Sequence, residues 1–133
     1  MNNRKKGHDL ERQVSKDLRE LFPFTKTSRN SSKLLDDTGI DIVFVPFKIQ
    51  CKRGYNKVRP KFETLKQEVI ERSIANFPKE HVIHQLPFVL IHKLDSEKRN
   101  SQNHFQVTMD YNYFLWLLKN LDKETLTNLP ILC

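Results

Sequence analysis

Asp41, Gln50 and Lys52 are an acid, an amide and a lysine close enough along the chain to act together. A carboxylate and a carbonyl-type oxygen a few ångströms apart suit a hard divalent cation such as Mg²⁺, which takes oxygen ligands and keeps several waters. A lysine beside them can hold an attacking water, or the negative charge that develops on a phosphoryl group. A plainer reading exists for each residue: Asp41 caps a strand start after Gly39, Gln50 is a polar edge residue, and Lys52 is a solvated charge. Taken alone the triplet favours the plainer reading, because such sets arise often by chance. The surrounding chain shifts the balance.

Residues 39–53 must position the three groups. Val, Ile and Phe dominate this stretch, Pro46-Phe47 interrupts it, and alternation then resumes, the pattern of two strands joined by a tight connection. In the second strand Ile49 and Cys51 point one way while Lys48, Gln50 and Lys52 point the other. A hairpin closing around Pro46 and Phe47 brings Asp41 opposite Gln50 to Lys52.

The chain of 133 residues makes one domain, 1–133, long enough to bury about two-thirds of its unfolded surface. No apolar run approaches the ~20 residues of a membrane span, and the basic N-terminus lacks the apolar stretch of a signal peptide. A cytoplasmic protein without membrane contact is the expectation. Cys51 and Cys133 offer no disulfide framework, and Cys51 reads as a small reduced core residue. The net charge is +7, and residues 1–61 carry 15 Lys/Arg against 7 Asp/Glu while residues 62–133 carry 8 against 9. All of the excess positive charge therefore lies in the half that holds the hairpin, a distribution expected of nucleic-acid binding.

Residues 1–7 form a basic arm containing Arg4, Lys5 and Lys6, either a frayed terminus or a phosphate contact. Leu10, Val14, Leu18, Leu21 and Phe22 recur at helical spacing over residues 8–22, and Pro23 stops the run. Glu11 flanks that stripe, as the rim of an amphipathic helix or as an acid pointed over the sheet toward Asp41. Residues 24–27 read as a short strand and 28–33 as a polar, basic loop with hydroxyls and amides suited to phosphates. Residues 34–39 lead into the hairpin. After it, residues 53–61 form a second basic loop. Phe62, Leu65, Val69, Ile70, Ile74 and Phe77 then trace a helix ending before Pro78. His81 and His84 make a His-x-x-His pair without further ligands at zinc spacing. Residues 86–93 read as a central strand covered on both faces, residues 104–109 as another strand, and Asp110 as the N-cap of a helix reaching Leu121. Leu126, Leu129, Ile131 and Leu132 give the tail, 122–133, apolar residues to pack on something. The order helix, strand, hairpin, helix, strand, strand, helix predicts an α/β fold, a mixed sheet with helices against it.

An acid in the first helix, then Gly39-Ile40-Asp41, then Gln50-Cys51-Lys52 in the next strand, resembles the PD-(D/E)-x-K nuclease superfamily, and within it the archaeal-type Holliday junction resolvases. Arg4-Lys5-Lys6-Gly7 followed by Leu10-Glu11-Arg12 is similar to their N-terminus and first helix. Pro87-Phe88-Val89-Leu90-Ile91 and Phe105-Gln106-Val107 are similar to two of their later strands. The likeness covers the chain to about Leu121, and its specificity lies in the ordered set.

This resemblance implies a restriction-endonuclease-like central mixed β-sheet flanked by α-helices. It also implies an endodeoxyribonuclease in which Glu11, Asp41 and Gln50 bind Mg²⁺, with Mn²⁺ as a substitute, and Lys52 assists the attacking water. A homodimer with two active sites cutting a four-way DNA junction is implied as well. Arg29, Ser31 and Ser32 match a DNA-contacting loop of such enzymes. Arg4, Lys5, Lys6, Arg29, Lys33, Arg53, Lys57, Arg59 and Lys61 are the expected phosphate contacts. Two departures stand out. Ile40 replaces the proline of the motif, and Gln50 stands where a glutamate is usual, an amide that can coordinate Mg²⁺ without bringing charge. Gln-x-Lys is also similar to a variant in Mrr-type restriction endonucleases. The alternatives are a restriction-like or repair nuclease on duplex or flapped DNA, and a DNA-binding module that kept the fold without turnover.

Overall fold

The computed structural model describes residues 3–53, 60–93 and 105–131, with residues 3–7 described by backbone alone. Helix α1 spans Asn3–Leu18. It starts before the predicted position because lysine and arginine are good helix formers, so the basic stretch extends the helix and residues 3–7 of the expected arm are its first turns. It also stops earlier. Pro23 disfavours helical backbone at Phe22, and the chain turns there through bonds from Phe22 N to Leu18 O and from Thr25 N to Phe22 O.

Strand β1 is short, Lys26–Thr27, and leads into a 3₁₀ turn at Ser28–Asn30. The stretch expected to be irregular then contains helix α2, Lys33–Thr38, which Ser32 caps by accepting a hydrogen bond from Leu35 N at 3.2 Å. Gly39 ends it with φ at +92°, in the left-handed region. Strands β2 (Ile42–Val43) and β3 (Lys48–Arg53) follow. They pair antiparallel with Ile42 opposite Ile49, so Asp41 lies across from Gln50 as expected. Their connection is looser than a two-residue turn, running from Phe44, whose φ is +63°, to Phe47.

Helix α3, Phe62–Asn76, carries the chain back to β4, Phe88–Lys93, which lies parallel to β3 along its whole length from Lys48 opposite Phe88 to Arg53 opposite Lys93. Strand β5, Gln106–Thr108, pairs antiparallel with β4. The sheet is five-stranded and mixed, in the order β1-β2-β3-β4-β5. Helices α4 (Tyr111–Lys119) and α5 (Lys123–Asn128) end the described chain.

Two apolar clusters clamp the sheet. Leu10 and Val14 of α1 meet Ile42, Ile49, Cys51 and Val89 on one face. Val69 of α3 meets Ile40, Ile83, Phe88 and Leu90 on the other. Strand β4 thus contributes to both faces, as a central strand must. Tyr113 of α4 packs on the first cluster and contacts Phe47 edge-on at 6.1 Å. Trp116, Leu126, Leu129 and Ile131 are exposed, so the apolar side chains expected to pack are left largely open to solvent. No helix among the described residues is long and apolar enough to cross a membrane.

Gly39 matters because it sits between α2 and the strand that begins at the candidate acid. A Cβ there would lie 3.1 Å from Gln50 Nε2, 3.3 Å from Val69 Cγ2 and 3.4 Å from Arg72 Nη1, on a backbone that L side chains rarely adopt. Gly39→Ala is expected to lower the free energy of unfolding by about 1–2 kcal/mol, read as an earlier midpoint in urea with an unchanged slope.

Candidate active site

Glu11 follows Leu10, which is fully buried, so the helix that seats Leu10 and Val14 on the sheet also draws Glu11 under its edge. The carboxylate is buried and pairs with the Arg29 guanidinium through Oε2 and Nη2. Arg29 comes from the 3₁₀ turn after β1, and that turn is bound to the site backbone through Ser28 N donating to Asp41 O at 2.8 Å. Asp41 is held at both ends. Its N–H donates to Ile49 O at 2.8 Å, and its Oδ2 accepts from Cys51 N at 2.7 Å. The expected rim position of Glu11 and the expected strand-start position of Asp41 are therefore one neighbourhood.

Electrostatics show how close the groups are. Burial, and next the negative charge of Glu11, push the Asp41 carboxyl up to about 7, against the opposing Cys51 N–H and the Lys52 ammonium. Burial also raises Glu11, with Arg29 pulling it back down. The Cys51 thiol beneath them is pushed well up by its burial and by both carboxylates, which keeps it a neutral core thiol. Asp36 of α2 adds negative charge to Glu11 and to Asp41, and accepts a hydrogen bond from Ser28 Oγ at 3.3 Å. The structure thus joins Glu11, Asp41 and Lys52, with Arg29 and Asp36 around them.

Gln50 is arranged differently. It is buried, its amide nitrogen faces Gly39, and Arg72 of α3 approaches the same point. Its Oε1 is buried with no hydrogen-bond partner. Among the described residues no group of three or more His, Cys, Asp or Glu is placed to hold a metal ion. The oxygens on hand are two carboxylates and one orphaned amide oxygen, hard donors of the kind Mg²⁺ takes. Two carboxylates in a partly dry position with a net upward shift need a proton or a cation, so the donor set fits such an ion in its chemistry.

The remaining expected contacts divide. Ser31 Oγ donates to Thr27 O at 2.9 Å and Ser32 caps α2, so both hydroxyls serve the local backbone. Lys33, Lys52 and Lys61 are exposed, while Arg53 at the end of β3 is half-buried. Lys57 and Arg59, and the side chains of Arg4, Lys5 and Lys6, lie outside the described residues. His81 Nδ1 accepts from Ile83 N at 3.0 Å and the His84 ring bonds Pro78 O at 3.0 Å, so both rings brace the turn before β4. Asp36 and Arg72 are the residues that sequence reasoning missed. Ser32 three residues before Leu35, with Gly39 after Thr38, is the cap pattern that reveals α2 and with it Asp36. Arg72 carries no comparable local signal.

Compared with known proteins, the chain matches no family model, no curated protein and no solved structure.

The raised Asp41 pKa has a measurable sign. Between the ordinary 3.8 and about 7, the folded chain holds a proton that the unfolded chain has released. Asp41 therefore favours folding fully below that window, and the stabilisation is lost as pH rises through it, by on the order of 4 kcal/mol. Without divalent cations, Asp41→Asn is expected to be more stable than the wild type at pH 8 by about 2–4 kcal/mol, with the difference vanishing toward pH 4. Urea unfolding at the two pH values measures it.

Proposed function

We propose that this chain is a cytoplasmic, Mg²⁺-dependent DNA endonuclease with a restriction-endonuclease-like fold, acting as a homodimer on four-way DNA junctions. The observation that carries this reading is the Asp41 carboxyl held near 7 beside Glu11, on the strand pair that also brings in Lys52. Such a pair is poorly solvated as a dianion, and a divalent cation relieves it better than a proton at neutral pH.

Glu11 and Asp41 are the anionic holders in this mechanism, and Gln50 Oε1 supplies a neutral oxygen. Bound there, Mg²⁺ supplies Lewis acidity toward a phosphoryl oxygen and toward water. The Cys51 N–H fixes one oxygen of Asp41 and leaves the other for this work. Lys52 is exposed and lies within electrostatic reach of Asp41, where its ammonium orients the attacking water and offsets charge on the phosphorane-like transition state. Arg29, released from Glu11, together with Lys33, Arg53 and Lys61 and the basic residues Arg4, Lys5, Lys6, Lys57 and Arg59, neutralises backbone phosphates. The exposed apolar residues Phe114, Trp116, Leu118 and Leu121 give two copies a face to bury.

A second reading, a DNA-binding module without turnover, is favoured by one feature. The Gln50 amide nitrogen faces Gly39, on the side of α3, so the third oxygen has to turn to join the carboxylates.

Cleavage of a labelled four-way junction beside a linear duplex of the same sequence, with Mg²⁺ and with chelator, decides among these. Paired symmetric cuts in the junction alone are expected, and Lys52→Ala should slow cutting by about 10²-fold or more while binding stays nearly intact. Cutting of both substrates would make the chain a restriction-like or repair nuclease on duplex or flapped DNA. Tight binding with no product in Mg²⁺ or Mn²⁺ would leave the binding module. If six or more phosphates are neutralised, affinity falls by roughly 10³-fold or more between 50 and 200 mM salt.

A further inference from the structure

A second set of groups lies on the α3 face of the sheet, around a cavity that none of Glu11, Asp41 or Lys52 lines. Lys48 opens β3, and strand alternation puts its side chain on the face of Gln50, beside Phe88 of the neighbouring strand. Its backbone is pinned by a hydrogen bond from its N–H to Pro87 O at 2.8 Å. The residue is only 6% exposed, yet no acidic side chain or hydrogen-bond acceptor among the described residues meets its ammonium. Burial pushes its pKa down, and no neighbouring anion opposes that shift. Its stem is buried while its ammonium still meets water, so an anion arriving beside it would find a partly desolvated charge with no competing partner.

Lys48 lines this cavity, of about 590 Å³. Its apolar lining is one stripe of α3 and its end: Ile70, Ile74 and Phe77, spaced four and three residues apart so that they share a helix face. Lys79 and His84 also line it, and among the described residues no Asp or Glu does. Ser73 is also at the wall, but its hydroxyl is engaged with Val69 O at 2.7 Å, as the His84 ring is with Pro78 O. The lysines are therefore the groups left to meet a ligand. The volume is within the range that holds a small molecule, and an apolar wall with two lysines in one lining defines what enters.

We infer that this cavity binds an amphiphilic anion, with a carboxylate or phosphate-monoester headgroup on Lys48 and Lys79 and an aliphatic or aromatic body along Ile70, Ile74 and Phe77. The headgroup supplies the ion pair that Lys48 lacks, and the body covers apolar side chains that water otherwise wets. Neither half suffices alone: inorganic phosphate leaves the apolar wall bare, and a neutral alcohol leaves the lysine unpaired. The site does not depend on the nuclease reading, because none of the residues assigned to cleavage lines it.

The test is a ¹H–¹⁵N NMR titration of the full chain with octanoate and with octyl phosphate, beside octanol and inorganic phosphate. At least one of the two anions is expected to give saturable shifts centred on Ile70, Ser73, Ile74, Phe77 and His84, and the tighter of them identifies the headgroup. Octanol and inorganic phosphate should bind about tenfold more weakly or worse. Lys48→Met, which keeps the buried stem, should weaken the anion by a similar factor and leave octanol unchanged. Ile74→Asp, at a solvent-exposed position that the fold tolerates, should abolish anion binding by placing a carboxylate at the rim. Equal binding of octanol, shifts centred on the helix around Trp116, or no saturation with either anion would overturn the assignment.

Discussion

The hydrogen bond from Cys51 N to Asp41 Oδ2 is the contact on which the candidate site depends. It is made possible by a single register, Ile42 opposite Ile49, which sets Asp41 across from Gln50 and lets its side chain reach the next backbone N–H along β3. A one-residue slip would turn every β3 side chain to the other face, moving Ile49 and Cys51 out of the α1 cluster and Lys48 and Gln50 into it. The apolar packing of Leu10, Val14, Ile42 and Ile49 therefore does more than stabilise the sheet. It holds the carboxylate where it is.

The same packing explains the unusual charge state. Glu11 is buried along with Leu10 because it precedes Val14 by three residues and Ser15 by four, so it shares their helix face, and both are buried. Glu11 then lies close enough to Asp41 to raise its pKa, and Arg29 offsets part of the resulting negative charge. Arg29 is delivered by the same backbone that binds Asp41, because Ser28 N donates to Asp41 O. Strand pairing, helix docking and charge compensation are in this way coupled, and a change to any one is felt at Asp41.

The central frame was legible in the amino-acid sequence because it rests on apolar periodicity. The β3 alternation and the apolar start of β4, Phe88 to Ile91, report their own burial, the α3 stripe does so at Val69 but not at the exposed Ile74, and Asp41 opposite Gln50 follows from the hairpin. Helix α2 was hidden because its stability comes from caps at Ser32 and Gly39, not from a buried stripe: of its residues only Thr38 is buried. The start of α1 was hidden because charged helix formers and a mobile basic arm have the same composition. Arg72 could not be read at all, since its approach to Gln50 depends on how α3 crosses the sheet.

Gln50 is consistent with this frame even though the nuclease motif that the sequence resembles has an acid at this place. It lies across the strand pair from Asp41, whose carboxyl is already near 7 beside Glu11, and Asp36 adds further negative charge. A third buried carboxylate at this point would raise Asp41 further unless a cation stood between them, and the free protein would bear that repulsion whenever the cation was absent. A neutral amide removes the repulsion while keeping an oxygen of the same reach. Its cost is visible as the orphaned Oε1, a buried acceptor without a donor. The frame therefore exchanges charge repulsion for one unsatisfied lone pair, and leaves the site with a strong anionic pair and one neutral oxygen that has no other partner.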